Sequence, residues 1–234
     1  MTWTYFRRGL LAGLLAGVLA GIFAFVFAEP ILDRAIALEN GGEHHREAVF
    51  DRGEQKAGLI LATTLYGLAV GALFGLLAAY FSRRSSLRSE WLRSLALSGA
   101  VFLGAVLLPF LKYPPNPPGV GADPATLAER TLAYLAIVVL GLLAVFAAWR
   151  FARRLEGVSP VGRELAAGGV LVVLLAFLYF AMPDFGGLRT AEPVPTTLIW
   201  EFRLSSLGTQ AVLWAAIGGI FGLLGELANR RELL

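Results

Sequence analysis

Gly9-Leu10-Leu11-Ala12-Gly13-Leu14-Leu15-Ala16-Gly17-Val18-Leu19-Ala20-Gly21-Ile22-Phe23-Ala24-Phe25-Val26-Phe27-Ala28 is a run without a single charged or hydroxyl-bearing side chain. Its length meets the ~20 apolar residues that a helix needs to cross the hydrocarbon core of a bilayer. Gly9, Gly13, Gly17 and Gly21 recur every four residues. On a helix that interval places them on one face, the arrangement by which membrane helices approach closely. Arg7 and Arg8 precede the run. A cleaved signal peptide, with Ala28 closing a small-residue site, is the competing reading, but its apolar core would span only about 7–15 residues. The run is therefore read as a retained membrane span.

Five further runs follow at about 57–81, 93–111, 130–149, 164–182 and 201–228. The second carries its own stripe, Gly67, Gly71 and Gly75. The chain has 234 residues, is 57% hydrophobic and only 16% charged, and its mean hydropathy is +0.68. A soluble domain would carry about 25% charged residues. The expected fold is an all-α polytopic membrane protein, with six transmembrane helices arranged as three hairpins. Residues 1–234 then form a single integral membrane domain, and the lipid bilayer is its first partner.

Six spans put both termini on one side. That side collects Arg7, Arg8, Arg83, Arg84, Arg88, Arg93, Arg150, Arg153, Arg154, Arg163, Arg230 and Arg231, which are 12 of the 20 Lys and Arg, against five acids. The other side keeps eight basic and 12 acidic residues, a net −4. Cytoplasmic loops carry the excess of Lys and Arg, so both termini are expected in the cytoplasm of a multi-pass inner (plasma) membrane protein.

Composition excludes several chemistries. There is no cysteine, hence no disulfide, iron–sulfur cluster or thiolate metal site. Met1 and Met182 are the only thioethers, too few for a soft copper(I) route. Neither Lys56 nor Lys112 sits in a phosphate-binding loop, and there is no HExxH pair. No serine lies in a nucleophile elbow. The interiors of the six runs lack Asp, Glu, Lys and Arg, which argues against self-contained proton-coupled exchange. No enzymatic activity, permanently bound cofactor or nucleic-acid partner is expected.

Three places could bear function. The polar stretch 29–56 is acid-rich and holds both histidines, His44 and His45. If residues 44–58 extend the second span outward as helix, His44, Glu47, Asp51 and Glu54 fall on one face. His44, His45, Glu43, Glu47 and Asp51 form a candidate divalent-cation set, because imidazole and carboxylate suit Co²⁺, Ni²⁺ or Zn²⁺ without choosing among them. A solvated acidic loop is the plainer reading.

The second place is Lys112-Tyr113-Pro114-Pro115-Asn116-Pro117-Pro118, between the third and fourth runs. Its prolines predict a stiff, polyproline-like strap ending at Gly119 and Gly121, able to hold Lys112, Tyr113 and Asn116 in place. The third place is the last run, with Ser205, Ser206, Thr209, Gln210 and Trp214. Hydrogen bonding between helices and the lining of a pathway are both open to it. Each returning helix also opens with an acid and a base: Glu54 and Lys56, Glu129 and Arg130, Glu201 and Arg203. They either anchor helix ends at the interface or ring an outer vestibule.

Several motifs in order carry a family resemblance. Lys112-Tyr113-Pro114-Pro115-Asn116-Pro117-Pro118-Gly119-Val120-Gly121, followed by Arg130-Thr131 and Tyr134, resembles the central motif of the CbtA family of cobalt transporter subunits. Glu29-Pro30-Ile31-Leu32-Asp33-Arg34-Ala35-Ile36, Arg52-Gly53-Glu54-Gln55-Lys56-Ala57-Gly58 and Leu198-Ile199-Trp200-Glu201-Phe202-Arg203-Leu204-Ser205-Ser206-Leu207-Gly208 are similar to it as well. The resemblance implies a non-ATPase subunit of cobalt uptake, with Co²⁺ as the transported cation. It also implies a small single-span, histidine-rich CbtB-like partner. The alternative is a non-transporting scaffold or regulator that binds a partner through its glycine-striped helices. The ion, the direction, the energy source and the oligomeric state stay open at this point.

Overall fold

The computed structural model describes residues 2–40, 51–82, 84, 85, 87, 89–118, 120, 121, 124–155, 157–185, 189, 190 and 194–231. The elements in order are α1 (Thr2–Phe27), α2 (Glu29–Asn40), α3 (Arg52–Ser82) and α4 (Glu90–Phe102). A π-helical turn (Leu103–Leu107) leads into α5 (Leu108–Lys112). Then come strand β1 (Val120–Gly121), a 3₁₀ turn (Pro124–Thr126), α6 (Leu127–Ala152), α7 (Pro160–Ala181), strand β2 (Arg189–Thr190) and α8 (Thr196–Arg231). Among the described residues six helical stretches are long and apolar enough to cross a membrane: α1, α3, α4 through α5, α6, α7 and α8. The fold is all-α; the strands are a two-residue antiparallel contact, Val120 with Thr190 and Gly121 with Arg189.

Local chemistry explains where the helices stop. Pro30 has no N–H to return to the carbonyl of Val26, so the ladder of α1 breaks near Ala28. Proline is favoured in the first turn of a helix, and α2 restarts there. Residues 29–40 are therefore helix, where the sequence suggested a polar loop. Ile31 and Ala35 are one turn apart and bury against Leu198, with Val194 and Phe202 beside them. That apolar stripe is what the acid-rich composition concealed. The Asp51 side chain accepts from the Glu54 N–H at 2.8 Å, and Glu54 accepts from the Asp51 N–H at 3.0 Å, a reciprocal cap on α3. The helix thus begins at Arg52, a turn before its apolar run. Likewise α8 begins at Thr196 rather than near Glu201.

The chain divides into two compact units. The first contains Met1–Gly99, Pro117–Gly119 and Glu192–Leu234; the second contains Ala100–Asn116 and Val120–Ala191. In the first unit α1 packs against α3 and α8. The glycine faces of α1 and α3 meet: Gly9 lies on Gly71 and Gly75, Gly13 on Gly67 and Gly71, and Gly17 on Thr63 and Thr64. The numbers fall along α3 as they rise along α1, so the pair is antiparallel. A Cβ on Gly67 would sit 2.6 Å from the Gly17 Cα. Only glycine permits that approach. The aromatic core lies on the α8 side, where the Phe74 and Phe221 rings meet edge to face at 5.2 Å. The Glu90–Gly99 part of α4 lies along α8. There the Ser94 and Ser98 hydroxyls donate to the Gly218 and Trp214 carbonyls.

In the second unit the π-helical turn packs on α6, with Gly104 against the backbone of Gly141. Pro109 cannot supply an N–H to the preceding turn. The wider turn absorbs the defect, with the Leu108 N–H reaching the Leu103 carbonyl. The α6 and α7 helices pack on each other, yet α7 has no fully buried residue.

Candidate functional site

Where α1 ends and α3 begins, three acids face three bases. Arg52 reaches Glu29 at 2.7 Å and also pairs with Asp33. Lys56 pairs with Asp33 at 2.8 Å, and Arg52 further donates to Gln55 at 2.6 Å. Arg34 pairs with Glu201. Hydrogen bonds from Lys56 and Arg52 hold the Asp33 carboxyl below its ordinary pKa. Glu29 is buried, at 4% exposure, so its single carboxylate needs such a partner. The carboxylates Glu29, Asp33 and Glu201 are thus already occupied by cationic side chains. No group of three or more His, Asp or Glu among the described residues could hold a metal ion.

Further along α8 lies a face of a different kind. The Ser205 and Ser206 hydroxyls both donate to the Phe202 carbonyl, at 2.9 and 2.8 Å. Thr209 donates to the Ser205 carbonyl at 2.8 Å. On α3, Thr63 donates to Leu59 at 2.9 Å and Thr64 to Ile60 at 2.6 Å. Every one of these protons is committed to its own helix, so the hydroxyl oxygens offer only lone pairs to a neighbour. On α1, Gly21 meets Thr63 and Phe23 meets Gly208. The threonines of α3 and the polar stretch of α8 therefore share a level of the unit. Here Gln210 Oε1 and Trp214 Nε1 are buried and find no hydrogen-bond partner among the described residues. An unsatisfied buried polar group costs about 1–3 kcal/mol, so two of them one turn apart need an explanation.

Two further clusters fix helix ends. Where α1 begins, Arg8 pairs with Glu90 of α4, their side chains 10% and 6% exposed. Asn229 Nδ2 donates to Glu90 at 3.3 Å. Glu226 of α8 accepts from the Ser89 hydroxyl at 3.0 Å, the Glu90 N–H at 2.9 Å and the Trp91 N–H at 3.2 Å. It satisfies, from another helix, donors that the first turn of α4 leaves open. In the second unit Lys112 Nζ meets Asp184 at 2.7 Å and lies 5.2 Å from the Tyr179 ring centroid. The Tyr113 hydroxyl donates to the Pro183 carbonyl at 2.8 Å. Burial and the Asp184 charge push its phenol pKa above the ordinary value.

The profile of a family described as a probable cobalt transporter subunit, CbtA, matches residues 3–226. The chain belongs to the CbtA family. No curated protein and no solved structure matches the chain. Family and helices together make this CbtA chain a multi-pass membrane protein.

The sequence-derived candidates of this CbtA chain fall as follows. Glu43, His44, His45 and Glu47 lie outside the described residues. Asp51 is exposed and caps α3. Of the vestibule set, Glu201, Arg203, Gln210 and Trp214 belong to the first unit and Lys112, Tyr113, Asn116 and Arg130 to the second. Glu201 turns to Arg34 of α2, and Lys56 to Asp33. Pro117 in the strap is among the most deeply buried residues. Sequence reasoning passed over Arg8, Glu90, Glu226 and Asp184. Glu90 and Glu226 were only two of the five acids counted on the basic side, and Asp184 gave no signal.

Proposed function

We propose that this CbtA chain is the polytopic, non-ATPase subunit of a cobalt-uptake system in the inner (plasma) membrane, with both termini in the cytoplasm. The observation that supports the reading is the family match over residues 3–226, which reaches from the first to the last of the six membrane-capable stretches. Outside, His44 and His45 with Glu43, Glu47 and Asp51 gather Co²⁺ from dilute solution. Glu29, Asp33 and Glu201 stay with their own bases. The ion then meets the oxygen-rich face of α8 around Gln210 and Trp214. In the second unit Lys112, Tyr113, Asn116 and Arg130 guide the ion beside the strap, and in the first unit Glu201 and Arg203 do so at the start of α8. The partner is a small single-span, histidine-rich CbtB-like protein that shares metal capture.

A scaffold that recruits a partner through the glycine stripes is less well supported. Gly13, Gly17 and Gly21 lie against α3, while Gly67, Gly71 and Gly75 lie against α1, so both stripes are used within the chain.

The test is accumulation of radioactive cobalt in cells with and without this chain, with and without the small partner, in competition with nickel and zinc. Cobalt accumulation that depends on the chain supports the reading. Equal accumulation in both strains, with the partner present, overturns it. Replacing His44 and His45 together by Ala is expected to lower uptake at scarce cobalt more than at abundant cobalt. Ligation needs neutral imidazole, so the wild-type advantage should shrink as pH falls below about 6.5.

A further inference from the structure

We infer that the first unit contains an internal hydration site between Gln210 and Trp214, and that a cation conveyed by this chain passes that level with water ligands attached. The second half rests on the transport reading; the first does not.

Trp214 is 7% exposed, and its indole nitrogen has no partner among the described residues. Gln210, one turn earlier on the same face of α8, has its carbonyl oxygen buried and likewise without a partner among the described residues. One group is a donor and the other an acceptor. An occupant that satisfies both must give a proton to Gln210 and take one from Trp214. Water does both, whereas a bare cation suits only Gln210 and faces the positive end of the indole N–H dipole. Polar burial of this kind is what ordered internal water satisfies.

The surroundings fit a hydrated ion for the same reason. Ser206 and Thr209, with Thr63 of α3 at the same level, turn lone pairs outward because their protons bond their own helices. Water held by a divalent cation is a strong proton donor, matched to such oxygens. Stripping that water would need carboxylate or imidazole ligands. Among the described residues Glu201 on α8 is paired with Arg34, and Glu29 and Asp33 of α2 with Arg52 and Lys56, while Asp51 and Glu54 cap α3.

Brief X-ray radiolysis of the purified full chain in ¹⁸O-water, read by mass spectrometry, tests the site without any transport. Trp214 should take up ¹⁸O at a rate approaching that of exposed Trp3 and Trp200, and Gln210→Leu should abolish the excess. Labelling as low as that of buried Phe74 and Phe221, corrected for intrinsic reactivity, overturns the site. In cells, hexaamminecobalt(III), whose ligands do not exchange, should compete with Co²⁺ uptake, and Gln210→Leu or Trp214→Phe should weaken that competition. Absent competition, or competition that both variants leave intact, overturns hydrated passage. A wild type that accumulates no cobalt removes the transport reading and hydrated passage with it, while the labelling result stands.

Discussion

Arg8 and Glu90 are almost wholly removed from solvent, so each depends on the other. Removing one partner of a buried pair typically costs about 3–5 kcal/mol, because the survivor keeps its desolvation cost without compensation. Arg8→Met and Glu90→Gln should each lower the melting temperature in detergent sharply, and the double variant should lose less than the sum. Additive losses would show that the pair does not couple α1 to α4. Asp33 gives a pH test. Its carboxyl titrates below 3.8 in the folded chain, so it contributes stability above that value and loses it as pH falls through the depressed pKa. The acid limb of wild type, from about pH 4 downward, should be steeper than that of Asp33→Asn, read by thermal melting at each pH. A sequence displays such charges but not their partners. Lys112 and Asp184 are separated by α6 and α7, and nothing in either local motif points to the other.

The seam between α1 and α3 makes a contrast at the scale of the element. A Cβ at Gly17 would lie 2.6 Å from the Thr63 carbonyl oxygen and 2.8 Å from the Thr64 Cα, all of it backbone. At Gly168 and Gly169 of α7 an added Cβ would meet nothing within 4 Å. Overpacking a tight site costs about 1–3 kcal/mol, whereas relieving glycine in a helix gains about 0.5–1 kcal/mol. Gly17→Ala should therefore destabilise, Gly17→Leu more so, and Gly168→Ala should be neutral or stabilising. Thermal unfolding in one detergent ranks all three, and equal midpoints would mean the seam bears no load. The six long helices were legible because length and apolarity alone fix a membrane span. The glycine interval was legible because four residues is close to one helical turn. α2 was not, since its two core residues, Ile31 and Ala35, sit among four charges and depend on Leu198, far along the chain, to make a stripe. The Gln210–Trp214 level was legible as polar spacing, but whether those atoms find partners depends on packing that no single helix encodes.

At the scale of the molecule, direction along the helices constrains the topology. Within the first unit α3 runs antiparallel to α1. Phe23 meets Gly208 while Arg8 lies by Gly225, so α8 runs antiparallel to α1 as well. Trp91 lies by Gly222 and Ser98 by Gly218, so α4 runs antiparallel to α8 and hence along α1. Between α4, pointing one way, and α8, pointing the other, an even number of crossings is expected, and α6 and α7 are two helices long and apolar enough to supply them. An even total returns the C-terminus to the side of the N-terminus. Which side that is rests on charge: the helix ends at Arg8, Arg84, Glu90 and Glu226 are expected on the side that would hold 12 of the 20 bases. The chain has no native cysteine, so a single introduced thiol reports its own position without background. A cysteine at Gly121, beside the strap, should react with an impermeant maleimide added to intact cells. One at Ser85 should react only after the membrane is opened. The opposite pair of results would invert the protein in the membrane. Labelling of both sites from outside would mean that the stretch from α4 through α5 does not cross, against the pairing of α4 with α8. The Ser85 site is the more informative of the two, because the basic arginines around it are what the orientation rests on.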